Sequence, residues 1–289
     1  MEITFGKSTC DVFVPDGADL KGALRRTTHL GIGAHPDDLE FMAIHGILQC
    51  FGRADAGFTG VTCTDGAGSS RVGVYADCTD DDMKKVRRQE QRAAAMIGRY
   101  AAMLQLDYTS AEAKDPAESR LEEDLLAILG AARPKAVYTH NPADKHATHV
   151  GVVVKAIRAL RRLPPEQRPE RVYGCESWRG LDWMADSRKV KLECGGRDHL
   201  AASLLGVYDS QIAGGKRYDA ATLGRWRANA TMLESHAADK SDAMVYAMDL
   251  TPLVQDESPD IVEYVLGFVE ELKGQVKQGL EKMAAGRRR

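Results

Sequence analysis

The sequence predicts an α/β protein of Rossmann-like type: a mostly parallel sheet with helices on both faces, followed by an elaborated C-terminal part. Three observations predict it. Short apolar runs alternate with segments whose apolar residues fall at helical spacing, turn-forming residues separate them, and the unit repeats three times before the pattern loosens near Arg168. The 289 residues are long enough to bury a full core and are expected to form one domain over 1–289, with its core at about 28–167 and the elaboration at about 168–289.

HLGIGA reads as a short buried strand, and LEFMAIHGILQCFGR follows it as a helix. FTGVTCT is the next strand, ending in the turn DGAG. DDMKKVRRQEQRAAAMIGRY is a helix, acidic at its start and rich in Ala, Arg and Gln. After MLQLDY comes the helix PAESRLEEDLLAILGAA, then the strand KAVYTH and the helix HVGVVVKAIRALRRL. RRLPPEQRPE is linker-like. Beyond it RVYGCESW and KVKLEC read as strands, and three further helical segments end in DIVEYVLGFVEELKGQVKQGLEKM.

Composition excludes several classes of function. A formal charge of -3 gives no basic field for nucleic acid, and the terminal GRRR reads as a solvated tail. No apolar run approaches the roughly 20 residues needed to span a bilayer. The N-terminus lacks a basic region followed by an apolar stretch, so no secretory signal is expected and the location expected is cytoplasmic. Six scattered cysteines without a C-x-x-C pair argue for packed, reduced thiols.

The chemistry concentrates in two loops. GIGAHPDDLEF places His35, Asp37 and Asp38 at the carboxyl end of a strand, where open parallel sheets bind ligands. Helix capping accounts for one aspartate but not for His-Pro-Asp-Asp together. GIGAHP begins like G-x-G-x-x-G, yet it lacks the third glycine and two carboxylates would repel a pyrophosphate. In the second loop, NPADKHATHVGVV, His146 and His149 lie three apart where a helix begins. If the loops converge, His35, Asp38 and His149 form a two-histidine, one-carboxylate set, which holds catalytic zinc and also accepts iron(II).

AHPDD with the later HATH resembles the LmbE-like, or PIG-L, family of metal-dependent N-deacetylases, from about Thr28 through Val154 with weaker echoes to about His236. The resemblance implies that His35, Asp38 and His149 hold zinc, that Asp37 is the general base, and that His146 assists the transition state. Many members read H-P-D-H where this chain has His-Ala-Thr-His, so the intervening proline and aspartate are absent. Arg71 reads as a contact to a sugar hydroxyl or phosphate, or as a solvated loop arginine; Asp65 as a substrate contact or a turn former. Asp144 reads as a carboxylate that orients a histidine, or as a loop aspartate next to Lys145 with no role in the site. His140 is a further candidate for lining the site, and the arginines and Glu90 of RRQEQRAAAMIG read as the helix's own charge pairs.

The function expected is therefore hydrolysis of an N-acetylglucosamine-type sugar or glycoside, giving acetate and a free amine. A zinc-held water attacks the amide, Asp37 takes its proton and His146 assists. The expected partner is that small molecule, with no nucleic acid, no membrane span and room for a homo-oligomer. Two alternatives stand beside it: an amidase acting on a larger acyl or thiol-conjugate amide, and a metal-stabilised sugar-binding protein without turnover.

Overall fold

The structure is a computed structural model and describes residues 3–285; the GRRR tail lies outside the described residues. Eight strands form one sheet: β1 Asp11–Phe13, β2 Thr27–Gly33, β3 Gly57–Thr64, β4 Ala102–Tyr108, β5 Ala136–His140, β6 Arg171–Cys175, β7 Val190–Glu193 and β8 Met244–Asp249. Their order is β1-β4-β3-β2-β5-β6-β8-β7. The run from β4 to β6 is parallel, as expected from the repeated strand and helix units. The edges are antiparallel: β1 against β4, and β8 between β6 and β7.

The two-residue period of the strands sends neighbouring side chains into different cores. Leu104 and Val137 join the core on one face, beneath the helices Arg120–Ala132 and Ala147–Arg161. Met103 and Tyr138, their immediate neighbours, join the core on the other face. There Leu39, Ile44 and Ile47 pack with Leu204, Leu205 and Tyr208, so the C-terminal part closes the core of the N-terminal part. Four of the six cysteines are buried and all six are free thiols.

The structure departs from the sequence reading in several places, and after β6 it has five α-helices among the described residues where three were expected. LEFMAIHGILQCFGR forms two helices, Asp38–Met42 and Ile44–Cys50, broken at Ala43. PAES precedes the helix Arg120–Ala132 and is not part of it, while Ser110–Lys114 is a short helix of its own. The strands β1 and β8 carry no signal that the periodicity picks up: β1 has three residues, and β8 mixes Met and Ala, good helix formers, into a six-residue run. Among the described residues, no helix is long and apolar enough to cross a membrane.

Candidate metal centre

The chain winds outward from β2 through β3 to β4, then returns to place β5 on the other side of β2. This reversal opens a crevice at the carboxyl ends of β2 and β5, the place where such sheets bind ligands. The loop after β2 carries His35, Asp37 and Asp38, and the loop after β5 carries Asp144 and His146, with His149 in the first turn of the helix that follows. Glycine lets the first loop close on its strand: a Cβ at Gly33 would lie 3.0 Å from the Asp38 Cβ, and one at Gly31 would lie 2.8 Å from Leu39. The glycines that begin like a nucleotide motif thus seat a helix against a strand.

His35, Asp38 and His149 come together. His35 Nδ1 lies 3.2 Å from His149 Nε2 and 3.4 Å from Asp38 Oδ2, and His149 Nε2 lies 3.5 Å from Asp38 Oδ1. Donors bound tetrahedrally to a divalent ion at ordinary bond lengths are about 3.3 to 3.5 Å apart. The two histidine nitrogens lie at about this spacing from each other, and each lies so from one oxygen of Asp38, so these residues could hold a divalent metal. Burial by itself would raise the Asp38 pKa, but His149 and His140 outweigh it and hold the carboxyl well below its usual range. Asp38 is thus anionic, as a ligand must be.

His140 is buried and stacks on His149 at 3.8 Å. Its Nε2 lies 3.3 Å from Asp38 Oδ2, but that nitrogen accepts a 2.9 Å hydrogen bond from the Ala34 N–H, so its lone pair is already used. Asp144 accepts from the N–H groups of His146 and Trp178 at 2.9 and 3.1 Å, and faces His149 Nδ1 at 3.5 Å. His146 sits beside the triangle, its ring 4.9 Å from that of His35 and 4.5 Å from that of His149. Burial, then the neighbouring His149 and His35, lower its pKa to about 4, so the ring is neutral near pH 7.

Asp37 is held differently. Its φ of 99° puts an L-residue in the left-handed region, which costs about 1–3 kcal/mol and persists only where the surroundings enforce it. The enforcing groups are Arg87 and Gln91, one turn apart on the helix Asp80–Ile97. Arg87 Nη2 donates to the Pro36 carbonyl and, at 2.8 Å, to Asp37 Oδ2, while Gln91 Oε1 accepts the Asp37 N–H at 3.2 Å. Burial, opposed by Arg87, raises the Asp37 pKa to about 6. Behind it, buried Glu40 accepts from Tyr100 Oη at 2.6 Å, Tyr208 Oη at 2.5 Å and Gln91 Nε2 at 3.0 Å.

Sequence reasoning missed this support, because it read the arginines of the helix only as partners for its own charges. The Arg87 to Glu90 pair does form, at 3.3 Å, and both side chains also reach Ser210 of the C-terminal part. A cleft of about 420 Å³ opens above the site, lined by His35, Asp37, Arg87, His146, Trp178 and Tyr218 among others. Arg71 and Asp65 are not in its lining. Arg71 donates to the Ala67 carbonyl and to Asp80, both at 2.5 Å. Asp65 accepts the Ala67 N–H at 3.1 Å within its turn and pairs with Lys84 at 3.0 Å. Trp178, 37% exposed, stands at the mouth with Lys145 and Lys216 over its ring at 5.9 and 5.6 Å.

Fold and geometry together define an α/β protein with a candidate metal-ligand triangle and a separate, tethered carboxylate at the switch point of its sheet. Residues 30–160 match the model of the PIG-L family, described as GlcNAc-PI de-N-acetylase, and the chain carries a domain of this PIG-L, or LmbE-like, family. Among solved structures it is similar to N,N'-diacetylchitobiose deacetylase from Pyrococcus horikoshii, with a TM-score of 0.58, 16% identity, and coverage of 79% of this chain and 86% of that one. It is similar also to the 4-carboxy-2-hydroxymuconate hydratase GalB from Pseudomonas putida KT2440, at 0.57, 16%, 78% and 96%. A third is the A40926 pseudoaglycone deacetylase Dbv21, at 0.55, 14%, 78% and 97%. No protein of curated function matches the sequence significantly. At these identities the likeness is one of fold, and a hydratase shares that fold with the deacetylases.

Proposed function

We propose that the whole chain acts as one metal-dependent N-deacetylase, removing the acetyl group from an N-acetylglucosamine-type sugar or glycoside to give acetate and a free amine. One observation carries the reading: Asp37 opens on the same cleft as His35 and Asp38, with His149 buried behind them, yet its carboxylate is tied to Arg87 and stays outside the candidate donor sets. A structural metal site has no use for such a group, whereas amide hydrolysis needs a base beside the water it activates.

Zinc or iron(II), when bound, supplies the charge that polarises the amide carbonyl and acidifies water. Asp37 takes the proton of the attacking water and returns it to the departing nitrogen. Neutral His146, with its N–H, donates to the oxygen on which negative charge develops, a contact whose loss costs about 100- to 1,000-fold in rate. Asp144 fixes the backbone of this histidine and faces His149. Trp178 offers an amphipathic ring at the mouth against which a sugar can lie.

The test is acetate release from N-acetylglucosamine and a panel of its glycosides, before and after chelation and again after zinc or iron(II) is restored. Metal-dependent acetate release is expected, faster from a glycoside than from the free sugar. Failure on every N-acetyl sugar alongside hydrolysis of longer acyl amides would replace this reading with an amidase, and addition of water to a carbon–carbon double bond would replace it with a hydratase.

A further inference from the structure

The last helix, Ile261–Ala285, has two apolar faces, and the body of the protein covers only one. On the covered face Phe268 is buried, meets Tyr264 edge-on at 5.3 Å and lies under the Arg188 guanidinium at 5.2 Å. Tyr264 Oη donates to the Asp249 carbonyl at 2.6 Å, fixing the helix to β8. The opposite face carries Val262, Leu266, Val269, Val276, Leu280 and Met283, all between 41% and 70% exposed.

These six positions step by four and three residues in turn, and Lys273 fills the one place between Val269 and Val276. The stripe therefore has the 3.5-residue period of a coiled-coil seam over three heptads, which unrelated exposed side chains have no reason to keep. From Gln275 onward every described residue is exposed. Gly274 and Gly279 weaken this end as an isolated helix, and a short helix without tertiary packing is marginal in water.

We propose that this stripe is a homodimer interface, pairing antiparallel with the same stripe of a second copy about a two-fold axis beside Gly274 and Gln275. In that register Leu266 meets the partner's Met283, Leu280 meets the partner's Val269, and Lys273 lies over the partner's Val276 instead of facing another lysine. The flanking position then sets Glu270 opposite the partner's Lys277, and symmetry makes the pair twice. A parallel pairing is disfavoured by the same residues. It would stack Lys273 on the partner's Lys273 and set Glu270 and Lys277 against uncharged Val265 and Leu272.

Sedimentation velocity of the full chain at micromolar concentrations tests this. The expected mass is twice the 31.6 kDa of one chain, and Val269→Glu with Val276→Glu should halve it while the far-UV circular dichroism of the body persists. Glu270→Lys or Lys277→Glu alone should weaken association about tenfold, and the two together should restore it, since the reversed charges again face each other. A mass of one chain at every concentration overturns the proposal, as does a dimer that survives the paired glutamates. Failure of the double reversal to restore association overturns the antiparallel register. A single-copy protein whose stripe instead drives binding to anionic lipid vesicles overturns the choice of partner.

Discussion

Arg87 donates a 2.8 Å hydrogen bond to the Oδ2 of Asp37, and both side chains are buried. The same guanidinium reaches the Pro36 carbonyl, Glu90 and Ser210, so its planar fork matters as well as its charge. Arg87→Lys should keep the fold but lower kcat for acetate release about tenfold or more, because Asp37 loses its fixed orientation. Arg87→Ala leaves a buried carboxylate without its cation and should cost about 3–5 kcal/mol in urea unfolding at neutral pH. Unchanged kcat in the lysine variant would remove Arg87 from the positioning of the base.

The neighbouring aspartates should separate in their roles although they are one residue type. Asp37→Asn should keep about one metal per chain and lose about 100-fold or more in turnover. Asp38→Asn and His149→Ala should instead lose metal, read by elemental analysis after dialysis. The opposite pattern, metal lost with Asp37→Asn and kept with Asp38→Asn, would reverse the assignment.

Asp144 is placed to act through two histidines at once. Its carboxylate accepts the His146 N–H and faces His149 Nδ1, so Asp144→Asn should weaken metal binding about 10- to 100-fold. Competition with a metal-sensing dye measures this directly, and affinity equal to the parent protein would show that the backbone contact is its whole contribution.

Glu40 makes stability depend on pH. Burial, only partly offset by the hydrogen bonds of Tyr100, Tyr208 and Gln91, raises its pKa from 4.5 to about 7. The fold thus binds its proton more tightly than the unfolded chain does. The stabilisation is full below pH 4.5 and is lost as pH rises towards 7, at most about 3 kcal/mol in all. Glu40→Gln cannot titrate, so its Tm relative to the parent should rise between pH 4.5 and pH 8. A Tm difference that stays flat across that range would contradict the linkage.

The two short motifs were legible because each puts ionisable groups where a strand ends, and the parallel sheet carries those ends to one edge. What supports them was harder to read. Met83, Arg87, Glu90 and Ala94 fall at i, i+4, i+7 and i+11, the buried stripe of their helix, so an arginine on that stripe was a visible signal of a buried partner. A local reading of charge pairs stops at Glu90 and cannot see Asp37, 50 positions away. The break at Ala43 and the strand β8 depend on tertiary packing more than on their own residues. β8 is a strand because β6 and β7 flank it, not because Met-Val-Tyr-Ala-Met-Asp demands one.

The adjacency of β2 and β5 also ties ligand capture to the assembly of the chain. His35 and His149 are 114 positions apart, and nothing local brings them together before those two strands pair. The unfolded chain therefore offers an ion only scattered, weak donors, while the finished sheet offers a preformed triangle. Any ion that occupies it adds its binding free energy to the stability of the fold by mass action, about 2.7 kcal/mol at a free concentration one hundred times its Kd. Melting temperature should consequently climb with metal concentration and fall on chelation.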